Sequence, residues 1–107
     1  MNIKESIKTA LTGIDAALQQ SATEFPRVWF FEYLEQPEWF GDGCEDARGH
    51  YVQVDIFSMD DVTALIDDVM ERMDNAGFEY LSSEDLYEDD TQVYHRAIRY
   101  FYLEERR

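Results

Sequence analysis

Apolar residues recur along this chain at two spacings, and the changes of spacing predict helix, strand, strand, helix, strand, strand. From Asn2 to about Gln20, Ile3, Ile7, Leu11, Ile14 and Leu18 fall at helical intervals, with Ala10 and Ala17 beside them. Asn2 is placed to cap this helix and Glu5 to complete a capping box. Gly13 weakens it by up to ~1 kcal/mol without ending it. After a connector from Ser21 to Pro26, residues 27–35 are dense in aromatic and β-branched side chains and read as a strand. Apolar residues on both of its faces suggest a central or well-covered position. Gln36 to Arg48, with Pro37, Gly41 and Gly43, reads as a loop or long hairpin connection. Residues 49–57 alternate strictly, with Val52, Val54 and Ile56 opposite Tyr51, Gln53 and Asp55.

Ser58 is expected to cap a second helix, with Asp61 binding its exposed amides. Val62, Leu65, Ile66, Val69, Met70 and Met73 form its apolar stripe. Asn75-Ala76-Gly77 stops it, Gly77 supplying a left-handed residue. A short strand over 78–81 leads into the acidic segment Ser82 to Asp90. Thr91 to Leu103 reads as a last strand whose apolar residues occupy both parities, which leaves its buried face open. The expected fold is one α/β (α+β) domain over residues 1–107: a four-stranded, mainly antiparallel sheet with both helices on one face. The other face, with several aromatic residues, then needs a cover, and a partner surface is one solution.

Composition narrows the partners. The net charge is −15, from 24 acidic and nine basic residues. That field opposes phosphate backbones and anionic membranes, so no direct nucleic-acid or membrane binding is expected. No run approaches the ~18 apolar residues of a membrane helix and the N-terminus has no signal-peptide core, so the chain reads as cytosolic. Aromatic residues make up 15 % of the chain, enough for a core and for interface anchors besides. The last strand is an exception to the acidity: Arg96, Arg99, Arg106 and Arg107 outnumber Glu104 and Glu105 there. A basic edge of that kind can meet an acidic neighbour and set a register.

Catalytic and metal chemistry find little support. His50 and His95 lie on separate strands without ligand spacing. The acid-rich segments around Asp42 and Glu84 lack the alternating ligands of a calcium loop. Cys44 has acidic neighbours, which raise a thiol's pKa, and no phosphate loop or serine-nucleophile signature is present. No enzyme activity, metal or cofactor is expected. Trp39 and Phe40, adjacent aromatics beside glycines, and Leu86 and Tyr87, apolar within an acidic run, are candidate contact residues.

Five stretches, taken in order, resemble one family. They are Trp39-Phe40-Gly41-Asp42-Gly43; Tyr51-Val52-Gln53-Val54-Asp55-Ile56-Phe57-Ser58; Met73-Asp74-Asn75-Ala76-Gly77-Phe78; Ser82-Ser83-Glu84-Asp85-Leu86-Tyr87-Glu88; and His95-Arg96-Ala97-Ile98-Arg99-Tyr100-Phe101. The family is the tail-completion, or tail-terminator, proteins of long-tailed bacteriophages and prophages, and the likeness runs from about residue 25 to 104. Residues 1–24 match no motif of it, and neighbouring head-tail joining families share the architecture. The resemblance implies a structural virion protein, a ring commonly of six copies at the head-proximal end of the tail. Such a ring ends tube growth and joins tail to head. It implies as partners further copies of the chain, the tail-tube protein and the head connector protein, with the subunit able to stay monomeric before assembly. The implied location is the virion tail, after assembly in the host cytoplasm. The expected assembly interface is Trp39, Phe40, Glu84, Asp85, Leu86, Tyr87, Glu88, Arg96 and Arg99, the acidic segment meeting the basic strand of a neighbour. The alternative is an acidic DNA mimic that inhibits a nucleic-acid-binding protein, which small size and a pI near 4.2 would suit.

Overall fold

The computed structural model describes residues 2–18, 25–39, 45–60, 62–88 and 92–105, with the backbone alone at 39, 45, 46 and 88. The elements run α1 (Ile3–Ala10), β1 (Arg27–Trp39), β2 (Glu45–Ser58), α2 (Thr63–Asn75), β3 (Glu79–Glu88) and β4 (Val93–Glu105). The sheet has the order β1-β2-β4-β3, and every neighbouring pair is antiparallel. Class and element order are those the sequence predicts.

Asn2 caps α1, its Oδ1 accepting from the Glu5 amide at 3.1 Å. The helix stops at Ala10, not near Gln20, because the chain turns through Gly13 at φ +90°. Ile14, Ala16 and Leu18 still pack against the core, now from an irregular segment. Ala17 forms a parallel bridge to the start of β1: its N–H donates to the Pro26 carbonyl, and its own carbonyl accepts from Val28 at 2.8 Å. Helical spacing was kept there without helical hydrogen bonds.

β1 and β2 extend into the stretch expected to be loop. Pro37 is tolerated because β1 is an edge strand. Ser58 ends β2 and does not cap α2; its hydroxyl donates to the Asp60 carbonyl at 2.8 Å and accepts from the Asp60 amide at 3.0 Å. Val62 is the N-cap residue of α2, with no side-chain cap bond. Asp61 lies outside the described residues. The far end of α2 follows the sequence reading: Gly77, at φ +93°, donates to the Asp74 carbonyl, and Phe78 donates to that of Met73, which together make a Schellman motif. The acidic segment expected as a loop is strand as far as Glu88, held by its pairing with β4.

The register settles the faces. Val28, Phe30, Val52, Val54, Ile56, Ile98 and Tyr100 lie on one face beneath Ile3, Ile7 and Leu11 and beneath Leu65, Val69 and Met73 of α2. Each fully buried side chain of this kind contributes roughly 1.5–3 kcal/mol. Arg72 ties the helical layer together, donating to Asp68 Oδ1 at 2.9 Å and to the Thr12 carbonyl.

Candidate assembly surface

Opposite the helices, nothing among the described residues covers the sheet. Phe31, Tyr33 and Leu34 of β1, Leu86 of β3 and Leu103 of β4 each expose between 37 % and 43 % of their surface there. Rings cross the strands at one end: Tyr33 to Tyr51 at 6.2 Å and Tyr51 to Phe101 at 5.0 Å. Gly49 makes room at this end: a Cβ there would meet Glu38 Oε1 at 2.6 Å and the Phe101 ring at 2.8 Å. At the other end His95 stacks on Phe57 at 4.3 Å, and the Arg27 guanidinium lies 4.1 Å from the Phe57 ring centre. Between them runs a polar chain. His95 Nε2 and Gln53 Nε2 both reach Asp55 Oδ1 at 2.8 Å, and Arg99 donates to Gln53 Oε1 at 3.2 Å. A surface of exposed rings and leucines around a satisfied polar centre is suited to contact with another protein surface.

The structure does not gather the expected interface residues into one patch. Asp85, Tyr87 and Arg96 meet at a groove between the β3–β4 hairpin and the start of α2, which Thr63, Ile66 and Tyr94 also line; Leu86 borders it from the open face, where its register with His95 places it. Glu84 and Arg99 lie on the open face, by their register with Ala97 and Gln53. Trp39 ends β1 opposite Glu45, whereas Tyr94, the partner of Tyr87, sits opposite Ser58. Those positions on β2 are thirteen residues apart, about 43 Å of strand. The Trp39 and Glu88 side chains and all of Phe40 lie outside the described residues, as does Cys44. The acidic segment and the basic strand are already neighbours within the chain, where Arg96 holds both carboxylate oxygens of Asp85. The Arg96–Asp85 pair thus forms within one β-hairpin, with Asp85 still largely exposed.

The histidines do not meet. His95 is opposite Phe57 on the open face; His50 is seven residues from Phe57 along β2, about 23 Å, and on the other face. His50 is only 3 % exposed and stands among carboxylates, with Nδ1 2.5 Å from Glu32 Oε2 and Nε2 2.8 Å from Glu104 Oε1. Glu35 Oε1 is 3.9 Å from Nδ1. With a carboxylate at each nitrogen, both ring nitrogens are placed to donate, an arrangement that favours the imidazolium form. Burial opposes that charge, but the hydrogen bonds to Glu104 and Glu32 outweigh it and raise the His50 pKa above its ordinary 6.5. The bond to His50 in turn holds the Glu104 carboxyl below its ordinary value. Sequence reasoning missed this cluster. Its one accessible signal was a cluster of acids on β1 of the kind that flanks a buried cation.

No protein-family model matches the chain, and no curated protein sequence matches it. Solved structures do. One is a chain of the virion of a native gene transfer agent (GTA) particle, at 10 % identity. The superposition has a TM-score of 0.55 and covers 94 % of this chain and 84 % of that one. The two share a fold.

Proposed function

We infer that this protein is a structural component of a phage-like particle, placed where tail meets head, where its copies form a ring that ends tube growth and receives the head connector. The observation that carries this reading is the fold shared over 94 % of the chain with a GTA virion protein. The open face supports it: an uncovered sheet bearing Phe31, Leu34, Leu86 and Leu103 gives a neighbouring copy an apolar surface to bury. So does the shape. The molecule measures 52 × 26 × 22 Å, and its candidate contact residues lie towards opposite ends of the sheet. Different patches meeting head to tail are what a closed ring requires. Assembly, not catalysis, is the role.

The test is mass and morphology. Native mass spectrometry and negative-stain microscopy of the protein, alone and with tail-tube protein, should give a ring of uniform size or a cap on tube ends. Deleting the gene from its particle should give tails of uncontrolled length. A chain that stays monomeric in the presence of tube protein, with tails of normal length in its absence, ends the reading.

A further inference from the structure

We propose that Glu32, Glu35 and His50 form a binding site for one divalent transition-metal ion, zinc by preference, with Glu104 orienting the histidine. Regular strand alternation would send residues 32 and 35 to opposite faces. The register shift between Glu32 and Leu34 resets the parity, so that Glu32 pairs with Val52, Glu35 pairs with His50, and both carboxylates lie on the His50 side. A bulge that re-aims a side chain in this way is a recurrent feature of binding sites.

The donor atoms of Glu32, Glu35 and His50 all lie within 4.8 Å of one another. A tetrahedral zinc with ligands near 2.0–2.1 Å needs donors about 3.4 Å apart. Glu32 at 2.5 Å and Glu35 at 3.9 Å from Nδ1 bracket that separation. Both glutamates are partly exposed, so their side chains can make the shifts of roughly 0.5–0.9 Å that this separation requires, whereas His50 is fixed by burial. Glu104 takes the remaining ring N–H at Nε2, the carboxylate–histidine arrangement that sets the tautomer in metal sites. Arg48 sits 3.4 Å from Glu35 Oε2 and leaves Oε1, the oxygen facing His50, available.

Charge favours the exchange. The carboxylates of Glu32, Glu35 and Glu104 surround a single imidazole, with Arg48 beside Glu35, so a divalent ion enters a site rich in negative charge. Binding releases the Nδ1 proton to solvent and puts the ion in its place. One imidazole with two carboxylates suits zinc better than magnesium or calcium, which favour all-oxygen sites. Water completes the coordination.

The experiment is titration of chelator-treated, buffer-exchanged protein with zinc chloride by isothermal calorimetry in millimolar magnesium. Cobalt(II) absorption serves as a second readout. One zinc per chain is expected, with tetrahedral cobalt bands. Glu32→Gln and Glu35→Gln, both at partly exposed positions, should each weaken binding at least about tenfold, and Glu104→Gln by about 10–100-fold. Glu84→Gln, on the open face, should change nothing. Circular dichroism of each variant establishes that it folds. No saturable zinc binding above magnesium overturns the proposal. Equal binding by Glu32→Gln, Glu35→Gln and Glu84→Gln also overturns it, since that is the behaviour of a diffuse acidic surface. Ring assembly is not part of the readout, so this site and the assembly role stand or fall separately.

Discussion

On β4, Ile98 and Tyr100 are almost wholly buried, while Leu103 and Arg99 on the opposite face reach solvent. The same division holds on β1, between Phe30 at 3 % exposure and Phe31 at 42 %. Both faces carry large apolar side chains, and they differ in what lies over them. One has α1 and α2 and is filled with β-branched residues. The other has rings that meet tilted or stacked across strands, a hydrogen-bonded centre at Asp55, and no cover among the described residues. The first face holds the monomer together. The second has apolar surface to spare.

The comparison is broken most sharply by Ile98→Ala. The side chain is fully buried between sheet and helices, so its truncation should cost about 2–5 kcal/mol. Urea unfolding with an unchanged slope checks it. A loss below ~1 kcal/mol would mean that the helical layer closes over the gap and that this face is less tightly packed than its burial indicates.

What the sequence revealed follows the same division. The stripe from Val62 to Met73 and the alternation of Val52, Val54 and Ile56 were legible because each buries one face, and burial imposes a period. Three features were not. The end of α1 depended on Gly13 taking positive φ, whereas the apolar spacing continued past it. β3 carries Glu84 and Asp85, which suggest a loop until β4 supplies Arg96 opposite Asp85 and Tyr94 opposite Tyr87. The His50 cluster depended on a one-residue bulge, which leaves no periodic trace. That Arg96 and Asp85 would face each other within one β-hairpin was likewise not legible, since the pairing of β3 with β4 sets it.

A smaller effect of opposite sign is expected at Tyr100. Its hydroxyl is buried with no hydrogen-bond partner, and burial raises its pKa. Phe keeps the edge-on ring contacts with Phe78 and Tyr80 and removes the stranded oxygen. Tyr100→Phe should therefore gain about 1 kcal/mol, read as a higher urea midpoint. A loss of that size would reveal a partner for the hydroxyl and a polar element in the covered face.

The His50 cluster adds a pH dependence to that face. Glu32 and Glu35 face the ring from β1 and Glu104 from β4; Arg48 lies beside it on β2, and Lys4 of α1 shares a small pocket with Glu32. His50 is raised in the fold, so its contribution is complete below 6.5 and lost as pH rises through the higher folded value. Glu104 is lowered, so its contribution is complete above 4.5 and lost as pH falls through the lower folded value. In chelator, stability from this pair should plateau between about pH 4.5 and 6.5 and decline above. The decline should be absent in His50→Gln. Parallel pH curves for the two proteins would show that the imidazolium contributes nothing.

The smallest change in stability should come from the largest change in surface. Leu34 and Leu86 lie on the two edge strands of the open face, each more than 40 % exposed. Leu34→Ser with Leu86→Ser removes apolar area that the monomer does not bury, so unfolding should shift by no more than ~0.5 kcal/mol per site. If copies cover this face in a ring, the same pair should abolish assembly at concentrations where the unaltered chain assembles, because leucine anchors in a desolvated contact lose both transfer energy and packing. Native mass spectrometry and urea unfolding on one preparation separate the two effects. A drop of several kcal/mol with assembly intact would invert the comparison and make the open face part of the core.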